Sequence, residues 1–354
     1  MVRITGRAYL KYVVIALVAA LVLLGGCGKQ KIESQRSESS SGSQSSATQS
    51  SPKLKVALVL PGTINDQGWN ATAYEGLKSL EKTFGVETSY KESVTQSDQV
   101  EVIRTYASQG YDVIFCHGFE FEDSAKKVAK DFPNVKIIIT SSLTSQQPNV
   151  ASLEVSGNEA GFLAGLVAGA VTKSNVIGYV GAMEIPPIME PAMGFEKGAQ
   201  TINPKVTVKI GYIGSWEDAA KAKEMALTMV SQGADVLLGN ADQASLGVIN
   251  AAVEKNIRII GYASDQAGLA PNNVIASSIL SYPTAMTYVF KEIIEGRFQA
   301  KNYLAHLPQG ATGIVWNEKM KSVVPEEAMK KIMQYVEDMK SGKLNIEQLV
   351  PRKR

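Results

Sequence analysis

Histidine, cysteine and tryptophan are scarce in this 354-residue chain, and a bias of charge is absent. The only histidines are His117 and His306, far apart in sequence. That leaves little from which to build a two-histidine metal site or a histidine-activated nucleophile. Of the two cysteines, Cys27 and Cys116, only Cys116 falls in the part that reads as folded, so no disulfide closes there. Cys116 ends the apolar run Val113-Ile114-Phe115-Cys116 and reads as a buried strand residue. The 36 basic and 34 acidic side chains leave a net charge of +2, which points to no nucleic-acid partner. Walker-type loops, G-x-G-x-x-G after a strand, C-x-x-C, H-E-x-x-H and G-x-S-x-G are all missing. Carboxylates are plentiful, but most lie on amphipathic helix faces. An enzyme, such as one that processes nucleosides, is thus an unsupported alternative, and no cofactor or resident metal is expected.

What is present begins at the N-terminus. Arg3, Arg7 and Lys11 precede an apolar run from Val13 to Leu24, closed by Leu24-Gly25-Gly26-Cys27. The pattern is that of a secretory signal. The run is short for a membrane span, which needs about 20 residues. The cysteine resembles the lipobox of bacterial lipoproteins, which implies cleavage before Cys27, acylation of Cys27, and a chain tethered to a membrane on the extracytoplasmic side. Two or more acyl chains would hold it firmly, whereas one would be marginal. A cytosolic repressor is excluded by that signal and by the lack of a DNA-binding headpiece. Residues 28–52 hold ten serines and almost nothing apolar. Such a segment reads as a flexible tether.

From Leu54 onward, short β-branched runs alternate with helical patterns. Leu54–Leu60, Val86–Lys91, Asp112–Cys116, Val135–Thr140 and Val150–Val155 read as strands, separated by helices over 70–84, 97–109 and 121–132. The rhythm restarts with a small-residue helix over 159–172. Strands at 176–181, 206–213, 236–239, 257–262 and 274–278 then alternate with helices at 191–202, 217–232 and 244–255. Helices at 283–295 and 325–341 follow the last of these strands. This alternation predicts an α/β fold of two doubly wound lobes with parallel sheets. About 300 residues also suit two lobes better than one core. The expected division is 1–26 signal and 27–53 acylated tether. Residues 54–156 with 267–305 would form one lobe, and 157–266 with 306–354 the other. Ligands in such sheets bind outside the carboxyl ends of strands. Those ends can line a cleft between the lobes.

Polar and aromatic residues collect at those ends. After the first strand come Asn65, Asp66, Trp69 and Asn70, which combine capping types, a flat apolar face and an amide that both donates and accepts. After the third come Gly118, Phe119, Glu120 and Phe121, where core packing and ligand contact read equally well. In the second half, Ser215 and Asp218 resemble a capping box around Trp216. Asn240 and Asp242 follow another strand, and Asp242 reads either as a cap or as a ligand acceptor. Asp265 follows the next, with no helix directly behind it. Two tryptophans with Asn and Asp beside them suit a flat heterocycle, and stacking is worth about 1–3 kcal/mol per base in nucleic-acid-binding proteins. Sugar rings stack on Trp as well, so a sugar or autoinducer receptor stays open as an alternative.

Several stretches together resemble the basic membrane protein family of substrate-binding lipoproteins, which includes purine nucleoside receptors. They are Asp66-Gln67-Gly68-Trp69-Asn70, Gly110-Tyr111-Asp112-Val113-Ile114-Phe115, Ala160-Gly161-Phe162-Leu163-Ala164-Gly165, Ile177-Gly178-Tyr179-Val180-Gly181, Gly233-Ala234-Asp235-Val236 and Ile260-Gly261-Tyr262-Ala263-Ser264-Asp265-Gln266. The resemblance spans 54 to about 320. It implies a type I periplasmic-binding-protein fold and delivery of a purine base or nucleoside to an ABC permease, with a monomer as the default. By motif position, Trp69 would stack on the base, Asn70 would hydrogen-bond the ligand, and Asp265 would match the acid that holds ribose. One departure is Pro191, which stands where nucleoside receptors place a second aromatic. Trp216 resembles the Trp of a subgroup of purine-base binders, which makes a free base a credible ligand.

Overall fold

The computed structural model describes residues 53–66 and 68–350. The signal, Cys27 and the serine-rich stretch lie outside the described residues. Among the described residues, twelve strands form two six-stranded sheets. The first holds β1 (Lys55–Val59), β2 (Glu87–Lys91), β3 (Val113–His117), β4 (Lys136–Thr140), β5 (Val150–Val155) and β11 (Asn302–Ala305). The second holds β6 (Val176–Gly181), β7 (Thr207–Tyr212), β8 (Val236–Asn240), β9 (Arg258–Ala263), β10 (Val274–Leu280) and β12 (Thr312–Trp316). Their orders are β11-β5-β4-β3-β1-β2 and β12-β10-β9-β8-β6-β7. Every pairing is parallel except β10 with β12.

The α-helices of the described residues are α1 (Trp69–Phe84), α2 (Gln99–Ser108), α3 (Glu122–Ala129), α4 (Gly157–Val171), α5 (Pro186–Ile202), α6 (Ala219–Ser231), α7 (Ser245–Glu254), α8 (Tyr282–Ile294), α9 (Glu326–Lys340) and α10 (Ile346–Leu349). Central strands such as Val113-Ile114-Phe115-Cys116-His117 are buried throughout, as expected for parallel strands covered on both faces. The α4–α5 pair is packed through glycine. A Cβ at Gly161 or Gly198 would collide with the backbone of Pro191 or Phe162 on the facing helix. This explains why the sequence there is rich in small residues.

Four local expectations change. β10 was expected after the return to the first lobe at residue 267, but it pairs with β9 and stays in the second sheet, so the chain returns to the first lobe only at α8. β11 and β12 were not foreseen, because Asn302 and Gly313 interrupt their short apolar patterns. α5 starts at Pro186 rather than 191. Pro186 and Pro187 occupy its first turn, where a missing N–H costs nothing. Ser215 and Asp218 form no capping box. Asp218 itself caps α6 through the Lys221 amide, and Ser215 Oγ accepts from the amides of Glu217 and Asp218.

The three crossings between lobes are fastened to one another, the second through the Ser281 amide, which donates to the Ala311 carbonyl at 2.6 Å. Glu159, in the first turn of α4, accepts from the Leu307 amide at 2.8 Å and the Thr312 hydroxyl at 3.0 Å, and pairs with His306. Ser156 donates to Glu347, and Asn158 donates to the Val350 carbonyl, which brings the chain's last described turn onto the same place.

Candidate functional site

In each sheet the strand order reverses beside its first strand: β2-β1-β3 in one and β7-β6-β8 in the other. Such switch points open crevices at the carboxyl ends. The loops after β1, β3 and β8 carry Asp66, Trp69, Asn70, Phe119, Asn240 and Asp242, so these predicted residues sit at the two switch points. Asp242 feels the charges of Asp66 and Glu120. One crevice is lined by Ala71, Thr72 and Glu75 of α1 and by Ala263, Ser264 and Asp265 at the end of β9, so the two lobes meet at their strand ends.

The first lobe's contribution is tightly organised. Asp66, 5 % exposed, accepts from the amides of Gly68, Asn70 and Ala71 at 2.7–2.9 Å and from Asn70 Nδ2 at 2.9 Å. It thereby satisfies amides that the start of a helix leaves without partners. Both its oxygens are engaged in these bonds. Asn70 is buried, and its Oδ1 has no partner. Gly62 makes room for it: a Cβ there would lie 2.6 Å from Asn70 Nδ2.

Trp69, the first residue of α1, is half-buried. One ring face lies on His117, with centroids 3.7 Å apart and planes 28° from parallel. Its Nε1 donates to the Tyr282 hydroxyl at 3.0 Å, which lies 3.1 Å from Ser141 Oγ. His117 is fully buried, and burial pushes its pKa down to about 3, so the ring is neutral. The Trp69 carbonyl, 3.2 Å from Nε2, can only accept, which assigns the proton to Nε2 and leaves Nδ1 to accept from Thr140 at 2.8 Å. The sequence reading missed His117, Thr140, Ser141 and Tyr282 as supports. Only His117 carried a signal, as a histidine at a strand end.

After β3 the chain turns through Gly118 at φ 132°, and Glu120 folds back so that a Cβ on Gly118 would strike its carboxyl group. Phe121 is core, whereas Phe119 is 42 % exposed and packs in no core. Burial raises the Glu120 pKa. Cys116 beneath is fully buried and its thiol is pushed up by burial, as a structural cysteine should be.

The second lobe's residues are more loosely held. Asn240 donates through Nδ2 to the Tyr179 hydroxyl at 2.7 Å. Asp242 stands at φ 45°, in the left-handed region that Asp tolerates, and caps no helix. Its pKa is pushed up to about 8 by burial and by the charges of Asp66 and Glu120. Trp216 is 36 % exposed, and its carbonyl accepts from the Ala244 amide at 3.0 Å. That bond ties its loop to the turn bearing Asp242. Asp265 is exposed and accepts from the Ala267 amide and Ser277 Oγ. It lines a 310 Å³ crevice with Thr72 and Glu75 of α1 and with Ser264 and Ser281. Pro191 is buried within α5, against Gly157 at the start of α4. Among the described residues no His/Cys/Asp/Glu group is arranged to hold a metal ion, and no helix is long and apolar enough to cross a membrane.

Residues 53–349 match the family described as ABC transporter substrate-binding protein PnrA-like. The chain is 27% identical over 336 residues to the transcriptional activator protein med of Bacillus subtilis, covering 93% of this chain and 97% of that one. It is 27% identical over 302 residues to a purine-binding protein of Brucella abortus, covering 84% of each. It is 30% identical over 303 residues to the ABC transporter nucleoside-binding protein BmpA of Lactococcus lactis, covering 79% and 83%. The fold is similar to an ABC transporter solute-binding protein from Aeropyrum pernix, with TM-score 0.73, 22% identity, and 82% and 92% of the chains covered.

Proposed function

Because this chain belongs to the PnrA-like family of ABC transporter substrate-binding proteins, we propose that it captures a purine base or nucleoside outside the cytoplasm. In this reading Cys27 carries the lipid anchor, and the protein hands its ligand to an ABC permease without chemical change. The observation that carries the ligand class is the platform at the first switch point. Trp69 has one face backed by a neutral imidazole, and the next residue, Asn70, holds an unpartnered acceptor. A flat heterocycle with N–H donors satisfies both. The names of the Brucella and Lactococcus relatives support the same class. Asp242, Asn240, Trp216, Phe119 and Asp265 would approach from the facing strand ends and the rim. The lobes would close because the ligand binds the closed arrangement better.

The test is calorimetry on the chain from Lys53 onward, stripped of carried-over ligand by unfolding and refolding. Adenine, guanine, hypoxanthine, their nucleosides and a panel of monosaccharides would be titrated. Saturable purine binding is expected. A response to sugars alone would replace the ligand class and leave the fold untouched. Turnover of a nucleoside would replace the receptor reading with an enzyme.

A further inference from the structure

One buried polar group of the second lobe is used by nothing in the fold. Tyr262, near the carboxyl end of β9, is 4 % exposed, and its hydroxyl has no hydrogen-bond partner. A buried hydroxyl left unpaired costs about 1–3 kcal/mol, so it calls for a partner that the folded chain does not supply. Its neighbours say where it stands. β8 and β9 pair with Leu238 beside Ile260, so two positions on, Asn240 and Tyr262 lie on one face of the sheet, on adjacent strands. The same face carries Tyr179 of β6, which pairs with Leu238 from the other side. The Tyr179 hydroxyl donates to the Ile188 carbonyl at 2.8 Å, so it must accept from Asn240 Nδ2 at 2.7 Å. That bond fixes the Asn240 amide, commits Nδ2 and leaves Oδ1 for a ligand.

The pair stands at the floor of the cleft. A Cβ on Gly157, the first residue of α4, would lie 3.9 Å from the Tyr262 hydroxyl, which puts that hydroxyl at the first crossing. Trp69 is bonded to Tyr282, the first residue of α8, at the second crossing. Ser278 Oγ of β10 donates to the Ala160 carbonyl of α4 at 2.7 Å and holds those two crossings together. We infer that Tyr262 is a specificity-determining residue of the ligand site, a step that rests on the purine reading above. Its hydroxyl donates to an unprotonated ring nitrogen of the base, while Asn240 Oδ1 accepts from an N–H on the same edge. Trp69 reads the flat face of the ring, which every purine has. The second lobe reads an edge that sets an acceptor beside a donor, as the amino edge of adenine does, and this edge satisfies both of its groups at once.

Tyr262→Phe removes the hydroxyl and nothing else. Because that group bonds to nothing in the chain, the urea midpoint should hold or rise, while adenine affinity falls about 5- to 10-fold. Tyr179→Phe is the contrast, since it removes a bonded hydroxyl and should lower the midpoint. The 1-, 3- and 7-deaza analogues of adenine each lack one ring acceptor and locate the bond. The wild type should bind at least one of them about 5- to 10-fold more weakly than adenine, and Tyr262→Phe should bind that analogue and adenine alike. Unchanged adenine affinity in Tyr262→Phe overturns the inference. So does an equal loss for adenine and all three analogues, which a purely structural role would give. If adenine does not bind the wild type, the purine reading fails, and that result is distinct from adenine bound equally by the wild type and Tyr262→Phe.

Discussion

The two lobes share one topology, yet they prepare their strand ends differently. In the first lobe the ends are interlocked: Asp66 holds four donors, and Trp69, His117, Thr140, Tyr282 and Ser141 form one connected set of stacking and hydrogen bonds. In the second lobe Asp242 sits at a positive φ and Trp216 is 36 % exposed, joined to its neighbour by a backbone bond. Groups fixed by their neighbours lose little freedom on binding, whereas loose groups must be ordered at a cost. The difference suggests a division of labour, with the first lobe as platform and the second as closing face. Glu159 and Glu347 keep the two in register at the crossings.

The largest expected effect breaks the platform at its base. Asp66→Ala removes four accepted hydrogen bonds at the start of α1 and should lower stability by about 2–3 kcal/mol. Denaturant unfolding would show it as a shifted midpoint with an unchanged slope. A loss within about 0.5 kcal/mol would mean that the first turn of α1 stands without it. Next, Trp69→Ala should weaken purine binding by about 1–3 kcal/mol, roughly 5- to 150-fold. Trp216→Ala should cost less than about tenfold, because its ring is not held in place by a bonded set. Measured side by side, equal losses would erase the distinction between platform and closing face. Unchanged affinity in Trp69→Ala would remove the stacking assignment altogether.

Much of this was legible beforehand, for physical reasons. Buried parallel strands must be short apolar runs, so β1, β3, β4 and β8 announce themselves, and their loops locate Trp69, Asn70 and Asp242. β11 and β12 escaped because edge strands need no continuous apolar pattern, and Asn302 and Gly313 look like turn residues. The supports of Trp69 escaped for another reason. Tyr282 reaches it across 213 positions in sequence, a distance that no periodicity encodes. Glu120 was visible as an acid between two aromatics, but its folding back over Gly118 depends on a glycine at φ 132° that the sequence does not announce.

The smallest effect sharpens the contrast at Asp242. Its pKa in the folded protein is raised to about 8 by burial and by the two facing acids, from an ordinary carboxylate value of 3.8. Between those limits the native state therefore binds more protons than the unfolded chain, and stability falls as pH rises. The contribution is fully present below about pH 4 and is gone once pH passes about 8. Asp242 is buried only in part, so water relaxes some of the field and the slope should be modest. Asp242→Asn removes the proton that is lost and should flatten the curve, matching the wild type near pH 4 and exceeding it near pH 8. Urea midpoints of both proteins across that window would decide the point. Parallel curves would mean that the facing acids do not press on Asp242 in solution, so that the lobes stand further apart there than a loose closing face requires.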